Sequence, residues 1–249
     1  MRQKQILVAA VAVVLLAGIP TVAHATLIAS WSFDESSGTT AFDSAGGNDG
    51  TIYGATRADG ILGGALDFDG VNDYVYCGNN DSLDITDELT ISAWINRPNF
   101  NTYGVIVGKT NGNSVTAGYG LFSYKEGLEF TFYSRGWQRT TPRVAVTANQ
   151  WHHVAGTFDG NILYLYVDGE QRASLTYHGD ITPAARHPLQ IAYWRSQNPH
   201  FFDGLIDEVR IYDVALSPAE IRELAIPEPG TLLVLALGAL AGLRKLRQL

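Results

Sequence analysis

Residues 151–176 decide the fold: Trp151-His152-His153-Val154-Ala155-Gly156-Thr157-Phe158 runs into Asp159-Gly160, Ile162-Leu163-Tyr164-Leu165-Tyr166-Val167 runs into Asp168-Gly169, and a further stretch extends from Glu170 to Thr176. Each Asp-Gly tolerates the positive φ angles of a tight hairpin turn whose twist suits the flanking strands. Three apolar, β-branched and aromatic runs separated by such turns predict an antiparallel meander. Ile162, Tyr164 and Tyr166 fall on one face of the middle strand and Leu163, Leu165 and Val167 on the other. One of those faces must meet a core, which leaves the tyrosines to look outward or line a groove.

The same punctuation continues on both sides. Strands are expected at 27–33, 63–69, 73–77, 89–97, 104–109, 119–124, 128–133, 189–194 and 202–212, a number that calls for two antiparallel sheets packed face to face. A single short helix is signalled by Ser217-Pro218-Ala219-Glu220, with a capping serine, proline at the first helical position and glutamate completing a capping box. It should end near Leu224. The fold class is therefore all-β, a two-sheet sandwich with one C-terminal helix, spanning residues 26–226.

The two ends of the chain concern destination. Arg2 and Lys4 precede an apolar run from Ile6 to Ile19, Pro20 and the small-residue site Ala23-His24-Ala25. That is the layout of a secretory signal peptide over residues 1–25, to be removed by signal peptidase. A short membrane anchor is the competing reading, but the run falls short of the roughly 20 residues that span a bilayer. At the other end, Pro227-Glu228-Pro229-Gly230 breaks the chain before an apolar run from Thr231 to Leu243 and the basic residues Arg244, Lys245 and Arg247. The motif, apolar stretch and basic end of residues 227–249 resemble the PEP-CTERM sorting signal. The resemblance implies transient membrane insertion, recognition by an exosortase with Pro227, Glu228 and Pro229 as the sorting motif, and delivery to the surface or extracellular matrix of a Gram-negative-type bacterium. An ordinary C-terminal anchor is the alternative; both readings put the middle of the chain outside the inner membrane.

Loss of both ends removes five of the 17 basic residues and, if the cut follows Glu228, none of the 25 acidic ones, for a net charge of −13. Nucleic acid and anionic lipid are poor partners for such a surface. One cysteine, Cys77, allows no internal disulfide, and its setting in Tyr74-Val75-Tyr76-Cys77 suits a small buried apolar residue.

Three segments taken in order resemble the laminin-G-like, concanavalin-A-like superfamily: Ile28 to Glu35 with Trp31, Phe33 and Asp34; Gly64-Ala65-Leu66-Asp67-Phe68-Asp69-Gly70 on to Ile91-Ser92-Ala93-Trp94; and Trp151 to Gly160 with Gly204-Leu205-Ile206-Asp207-Glu208-Val209-Arg210-Ile211-Tyr212 near the end. The resemblance covers roughly residues 27–224. It implies a jelly-roll sandwich, often with a structural calcium ion, used mostly for adhesion or carbohydrate recognition, and it names no ligand.

Calcium takes six to eight oxygen ligands, which a glycine-rich loop with Asp and Asn supplies. Asp43 to Gly50 is such a loop, following Asp34. Neighbouring first and last strands, usual in the superfamily, would bring both towards Asp207. Asp34, Asp43, Asn48 and Asp207 are thus the expected calcium ligands, against a solvated loop of turn formers. Sugars stack on exposed rings whose polar neighbours fix the hydroxyls. Trp137 between Arg135 and Arg139, Trp194 with Arg195, and Tyr103 fit that chemistry, while Trp94 and Trp151 lie in strand motifs that favour core packing. No HExxH, Gly-x-Ser-x-Gly or P-loop occurs, and Asp207 and Glu208, being adjacent, face opposite sides of a strand. The chain is accordingly expected to bind a glycan or extracellular polysaccharide without catalysis. A structural matrix protein without a defined ligand, or a glycoside hydrolase, are the alternatives.

Overall fold

The structure, a computed structural model, describes residues 26–110, 116–125, 127–194 and 200–227. In chain order its first strands are β1 (Leu27–Trp31), β2 (Thr40–Ala41), β3 (Gly50–Tyr53), β4 (Thr56–Asp59), β5 (Gly64–Asp69), β6 (Tyr74–Tyr76) and β7 (Leu89–Asn96). Then come β8 (Gly104–Thr110), β9 (Gly118–Tyr124), β10 (Gly127–Tyr133), β11 (Trp137–Arg139), β12 (Trp151–Phe158), β13 (Ile162–Val167) and β14 (Glu170–Thr176). The last are β15 (Leu189–Ile191), β16 (Tyr193–Trp194), β17 (His200–Phe201) and β18 (Asp203–Tyr212), followed by helix α1 (Pro218–Leu224).

Two large antiparallel sheets result. The first runs β14-β13-β12-β7-β18-β5-β4, with β1 also on β18; the second runs β11-β10-β9-β8-β15-β6-β3-β2. The small pair β16–β17 forms a separate hairpin. The meander of 151–176 is present, but its two turns differ. Asp168 (φ 53°) and Gly169 (φ 77°) make the tight turn that requires two positive φ angles. At Asp159-Gly160 the Asp159 carboxylate instead accepts the N–H groups of Asn161 and Ile162, Asp159 N–H donates to the Ile162 carbonyl, and the turn is made by Gly160 (φ 82°) and Asn161.

Alternation sets the core. From the first sheet Ile91, Ala93, Ile95, Val154, Phe158, Leu163 and Leu165 point inward; from the second, Tyr119, Leu121, Leu128, Phe130 and Phe132 meet them. Phe132 and Phe158 touch across the interface with ring centroids 4.5 Å apart. Gly156 allows the closest approach, since a Cβ there would lie 2.2 Å from the Phe130 ring. Cys77 is buried in this core, and burial pushes its thiol up.

The helix forms as the sequence predicts: Ser217 accepts from Glu220 N–H and the Glu220 carboxylate returns the bond to Ser217 N–H. Five strands escaped the pattern: β2, β3, β4 and β11 are short edge or near-edge segments, and β17 is a two-residue partner of β16. The core assignment of Trp151 also needs correction. It is half-buried at the start of β12, while Trp31 and Trp94 are the buried tryptophans.

Candidate functional site

The expected calcium ligands fall into two separate fastenings. Asp43 Oδ1 accepts from Ser30 N–H (2.8 Å) and Ala45 N–H (3.0 Å), and its Oδ2 accepts from both the backbone N–H (3.0 Å) and the side-chain amide (2.9 Å) of Asn48. Asp34 Oδ1 accepts from Gly64 N–H at 2.8 Å, and Asp207 Oδ2 accepts from Ile61 and Leu62 N–H at 3.0 and 3.1 Å. Gly63, at φ 61°, leaves the space that Asp34 fills. As the superfamily pattern implies, β1 does pair with β18, which brings Asp34 and Asp207 to the same 60–64 turn; Asp43 and Asn48 stay with residues 28–48. Among the described residues no three His, Cys, Asp or Glu side chains are grouped to hold a metal ion. The four residues therefore do not fit a single calcium site. The carboxylates of Asp34, Asp43 and Asp207 accept from backbone donors that the loops would otherwise leave unsatisfied, and Asn48 Oδ1 accepts from the Ser82 hydroxyl. Burial, opposed by those N–H groups, pushes Asp207 up to about 7, whereas the bonds around Asp43 outweigh its burial and hold it below the usual range.

The aromatic candidates, by contrast, converge. On β9 and β10 the parity that sends Leu121, Phe130 and Phe132 inward sends Phe122, Tyr124, Glu129, Thr131 and Tyr133 outward. Tyr133 pairs with Trp137 and Thr131 with Arg139, so Trp137 and Arg139 share this face. Trp137 thus stands on the edge strand β11. Its ring meets Tyr133 edge-on at 5.7 Å and Trp194 at 6.3 Å. Trp194 meets Phe122 (5.3 Å), Phe122 meets Tyr124 (6.2 Å), Tyr124 meets Tyr103 (4.9 Å), Tyr103 meets His200 (5.3 Å), and His200 returns to Trp194 (6.0 Å). Five rings make a closed circuit with Trp137 attached.

The circuit is held from below and opens to one side. Phe122 is buried under Trp194, whereas Tyr103 is 42% exposed. Arg143 lies over the Tyr124 ring at 4.3 Å and ion-pairs with the buried Glu129 at 2.8 Å. Burial first, and the Glu129 charge next, push the Tyr124 hydroxyl up, and burial keeps His200 below its ordinary value. Tyr103, His200 and Phe201 line a cleft of about 460 Å³, whose polar lining includes Thr102, Lys125, Asp69 and Asp203. Such a cleft, with ring edges beside charged and hydroxyl groups, is suited to a small hydroxylated ligand.

Tyr103, Trp137, Trp194 and Arg139 are therefore brought to one face of the second sheet. Arg135 is not: it sits at the β10–β11 turn (φ 53°), exposed, and lines a different cleft of about 610 Å³ with Ser134, Tyr177 and residues 178–183. Arg195, Glu228 and Pro229 lie outside the described residues; Pro227 is exposed just beyond α1. Phe122, Tyr124 and His200 were missed, although the alternation of Tyr119 and Leu121 against Phe122 and Tyr124 carries the signal for two of them.

A family model of the concanavalin A-like lectin/glucanases superfamily, of laminin-G type, matches residues 69–222. The chain belongs to this superfamily. The rest of the sandwich of this superfamily member, β1 to β4 and most of β5, precedes the matched segment and completes both sheets. A second model, the PEP-CTERM protein-sorting motif, matches residues 225–248 and marks the chain for export and sorting to the cell envelope of a Gram-negative bacterium, with processing by an exosortase. Adhesion G-protein coupled receptor V1 of Danio rerio is 29% identical over 149 residues, 55% of this chain and 2% of that much longer protein. Among solved structures, domain 4 of AbnA, an extracellular arabinanase of Geobacillus stearothermophilus in complex with arabinotriose, superposes with a TM-score of 0.68 at 24% identity, covering 81% of this chain and 99% of that one. The binding domain of botulinum neurotoxin serotype G gives 0.62 at 14% identity, covering 80% and 50%. A sialidase of Trypanosoma rangeli gives 0.64 at 18%, covering 82% and 33%. These likenesses establish the fold, a lectin-like β-sandwich.

Proposed function

We propose that the protein is a non-catalytic module, exported through an N-terminal signal peptide, that holds polysaccharide on the outward face of its second sheet at the cell surface or in the extracellular matrix. The observation that carries this reading is the aromatic circuit of Tyr103, Tyr124, Phe122, Trp194 and His200, joined by Trp137 and opening on a polar cleft. Ring faces bury the apolar faces of sugars, and Lys125, Asp69, Asp203 and Arg139 supply donors and acceptors for hydroxyls. The complex of AbnA domain 4 with arabinotriose supports the same reading from a relative in fold. In this account the C-terminal segment inserts in the membrane only until the exosortase acts.

The carboxylates support a lack of catalysis. Glycosidases of the usual kinds use two acids flanking the sugar bond, one of them able to give up a proton. Glu129 is buried, with Oε2 held by Arg143, and it is the only acid among the residues that shape its cleft, Arg139 to Arg143. Asp69 accepts from Val71 and Asn72 N–H, which lower its pKa, so it stays ionised as a turn former.

The test is migration of the protein through gels containing soluble polysaccharides, with Trp137→Ala beside the parent. At least one polysaccharide should retard the parent, and Trp137→Ala should weaken that binding by about 1–3 kcal/mol, the loss usual for one stacking ring. Retardation by none of a broad panel would favour the structural matrix protein, and shortening of a polysaccharide would favour the hydrolase.

A further inference from the structure

The hairpin β16–β17 stands on the second sheet with rings on both of its sides. Successive residues of a strand face opposite ways, and the register pairs Tyr193 with Phe201 and Trp194 with His200. Trp194 and His200 belong to the circuit described above. On the other side Tyr193 stacks on Phe201 (4.7 Å, 14° between planes) and meets Tyr74 at 5.1 Å, and Tyr74 stacks on Tyr53 (4.7 Å, 13°). Tyr53 is 46% exposed, and Tyr76, next along the same face of β6, is 41% exposed.

We propose that Tyr53, Tyr74, Tyr193 and Phe201 form a second subsite, and that the two aromatic patches grip one linear, neutral polysaccharide at two places. The inference rests on the polysaccharide reading of the first patch and adds to it the requirement for a chain. Three of the four rings carry a hydroxyl and none of the four side chains carries a charge, so the patch offers apolar faces with polar edges, the surface that an uncharged sugar presents in return. Leucine or isoleucine would serve a protein partner as well; stacked phenols favour a planar-faced, hydroxylated one. Continuity names the same occupant for both patches, because Tyr193 and Trp194 are consecutive residues of one strand. The distance demands a polymer. In the second sheet β3, which carries Tyr53, lies six strand positions from β11, which carries Trp137, or roughly 29 Å at the usual spacing. A monosaccharide or disaccharide cannot reach from Tyr53 to Trp137.

Two linked binding events give an overall affinity well above either alone, often by about a hundredfold or more. The experiment uses the full chain. Gels containing arabinan, xylan, galactan, mannan or dextran identify the polysaccharide that retards it most, and calorimetry with oligosaccharides of that polymer, from two units upward, follows. Affinity should rise with length until the chain spans both patches and then level. Tyr53→Ala should leave the disaccharide within about twofold of the parent and weaken the longest oligosaccharide by about tenfold, as loss of one stacking contact does. Tyr53→Leu, which keeps apolar volume and removes the ring face, should do the same if Tyr53→Ala melts early. Affinity independent of length, or an unchanged length dependence in both variants, overturns the second subsite while leaving the first patch standing if Trp137→Ala still loses binding. Retardation by none of the five polymers counts against both readings.

Discussion

The outward faces of the two sheets are built from similar residues and put to opposite uses. On the first sheet the outward side chains of β7, β12 and β13 include Trp94, His153, Tyr164 and Tyr166, and the chain covers them itself. Helix α1 lays Ile221 on Ala155 and Tyr166, and the 60–64 turn closes on Asp207. On the second sheet, among the described residues, the outward rings are roofed by the two-stranded hairpin and, at Tyr124, by Arg143, and Tyr53, Tyr76 and Tyr103 keep two-fifths or more of their surface exposed. A pleated strand produces two faces whatever its sequence, so aromatic content alone does not mark a binding face. What marks it is the surface its rings keep exposed after the described residues have packed.

The comparison breaks most visibly at the tryptophans. Trp94 is 6% exposed between His153 and Asp207, and its ring meets His153 edge-on at 5.4 Å. Trp94→Ala should cost about 3–5 kcal/mol in denaturant unfolding, as large core truncations do. Trp137→Ala should cost under about 1 kcal/mol and act on binding instead. Equal losses of stability would erase the distinction between the faces.

His153 sharpens the same contrast through pH. It is buried on the covered face, its Nδ1 has no partner, and burial first, then the Arg210 charge, lower its pKa to about 3. The unfolded chain takes up this proton near pH 6.5 and the folded chain does not. The stability His153 contributes is therefore complete above about pH 6.5 and is lost as pH falls towards 3, by up to about 1.4 kcal/mol per pH unit. Asp207 works in the opposite sense. Its folded pKa, raised to about 7, makes the native state hold a proton that the unfolded state gives up, so its contribution falls as pH rises from about 4 to 7. The diagnostic quantity is thus the difference between parent and His153→Gln across pH 4.5–6.5, which should shrink steadily as acid is added. A constant difference would mean that His153 is charged or exposed.

Smaller effects belong to the loops. Asp43→Ala strands the N–H groups of Ser30, Ala45 and Asn48 and should cost about 2 kcal/mol, at the level of buried donors left unpaired. The smallest expected effect is that of chelation. Since Asp34, Asp43 and Asp207 serve backbone donors in two separate places, adding chelator should move the melting temperature by less than about 1 °C, where a saturating structural metal would contribute several kcal/mol. A larger drop, restored by calcium, would show that these loops bind metal after all.

How much of this was legible in the sequence follows from the physics of each signal. Long strands with apolar alternation, such as 151–158 and 89–96, could be read residue by residue, and the capping box at Ser217 fixed the helix to within a residue. Trp137, Trp194 and Tyr103 were recognisable as single candidates from ring and polar neighbours. Their assembly was not, because it depends on register between β9, β10 and β11 and on a hairpin folding over the sheet. Tyr53 and Tyr74 are likewise 21 residues apart and meet only through the pairing of β3 with β6. Asp34, Asp43, Asn48 and Asp207 had the right atoms for calcium, yet local sequence cannot say whether a carboxylate faces an ion or an amide N–H.

The central claim is that ligand lies on the second sheet's outward face, and oxidative footprinting of aromatic side chains with and without a retarding polysaccharide tests it most directly. Protection should appear at Tyr103, Trp137 and Trp194, extend to Tyr53 with a long chain, and be absent at Tyr164, Tyr166 and Tyr212. Protection confined to those three tyrosines of the first sheet, or to Tyr177 in the cleft beside Arg135, would contradict the account.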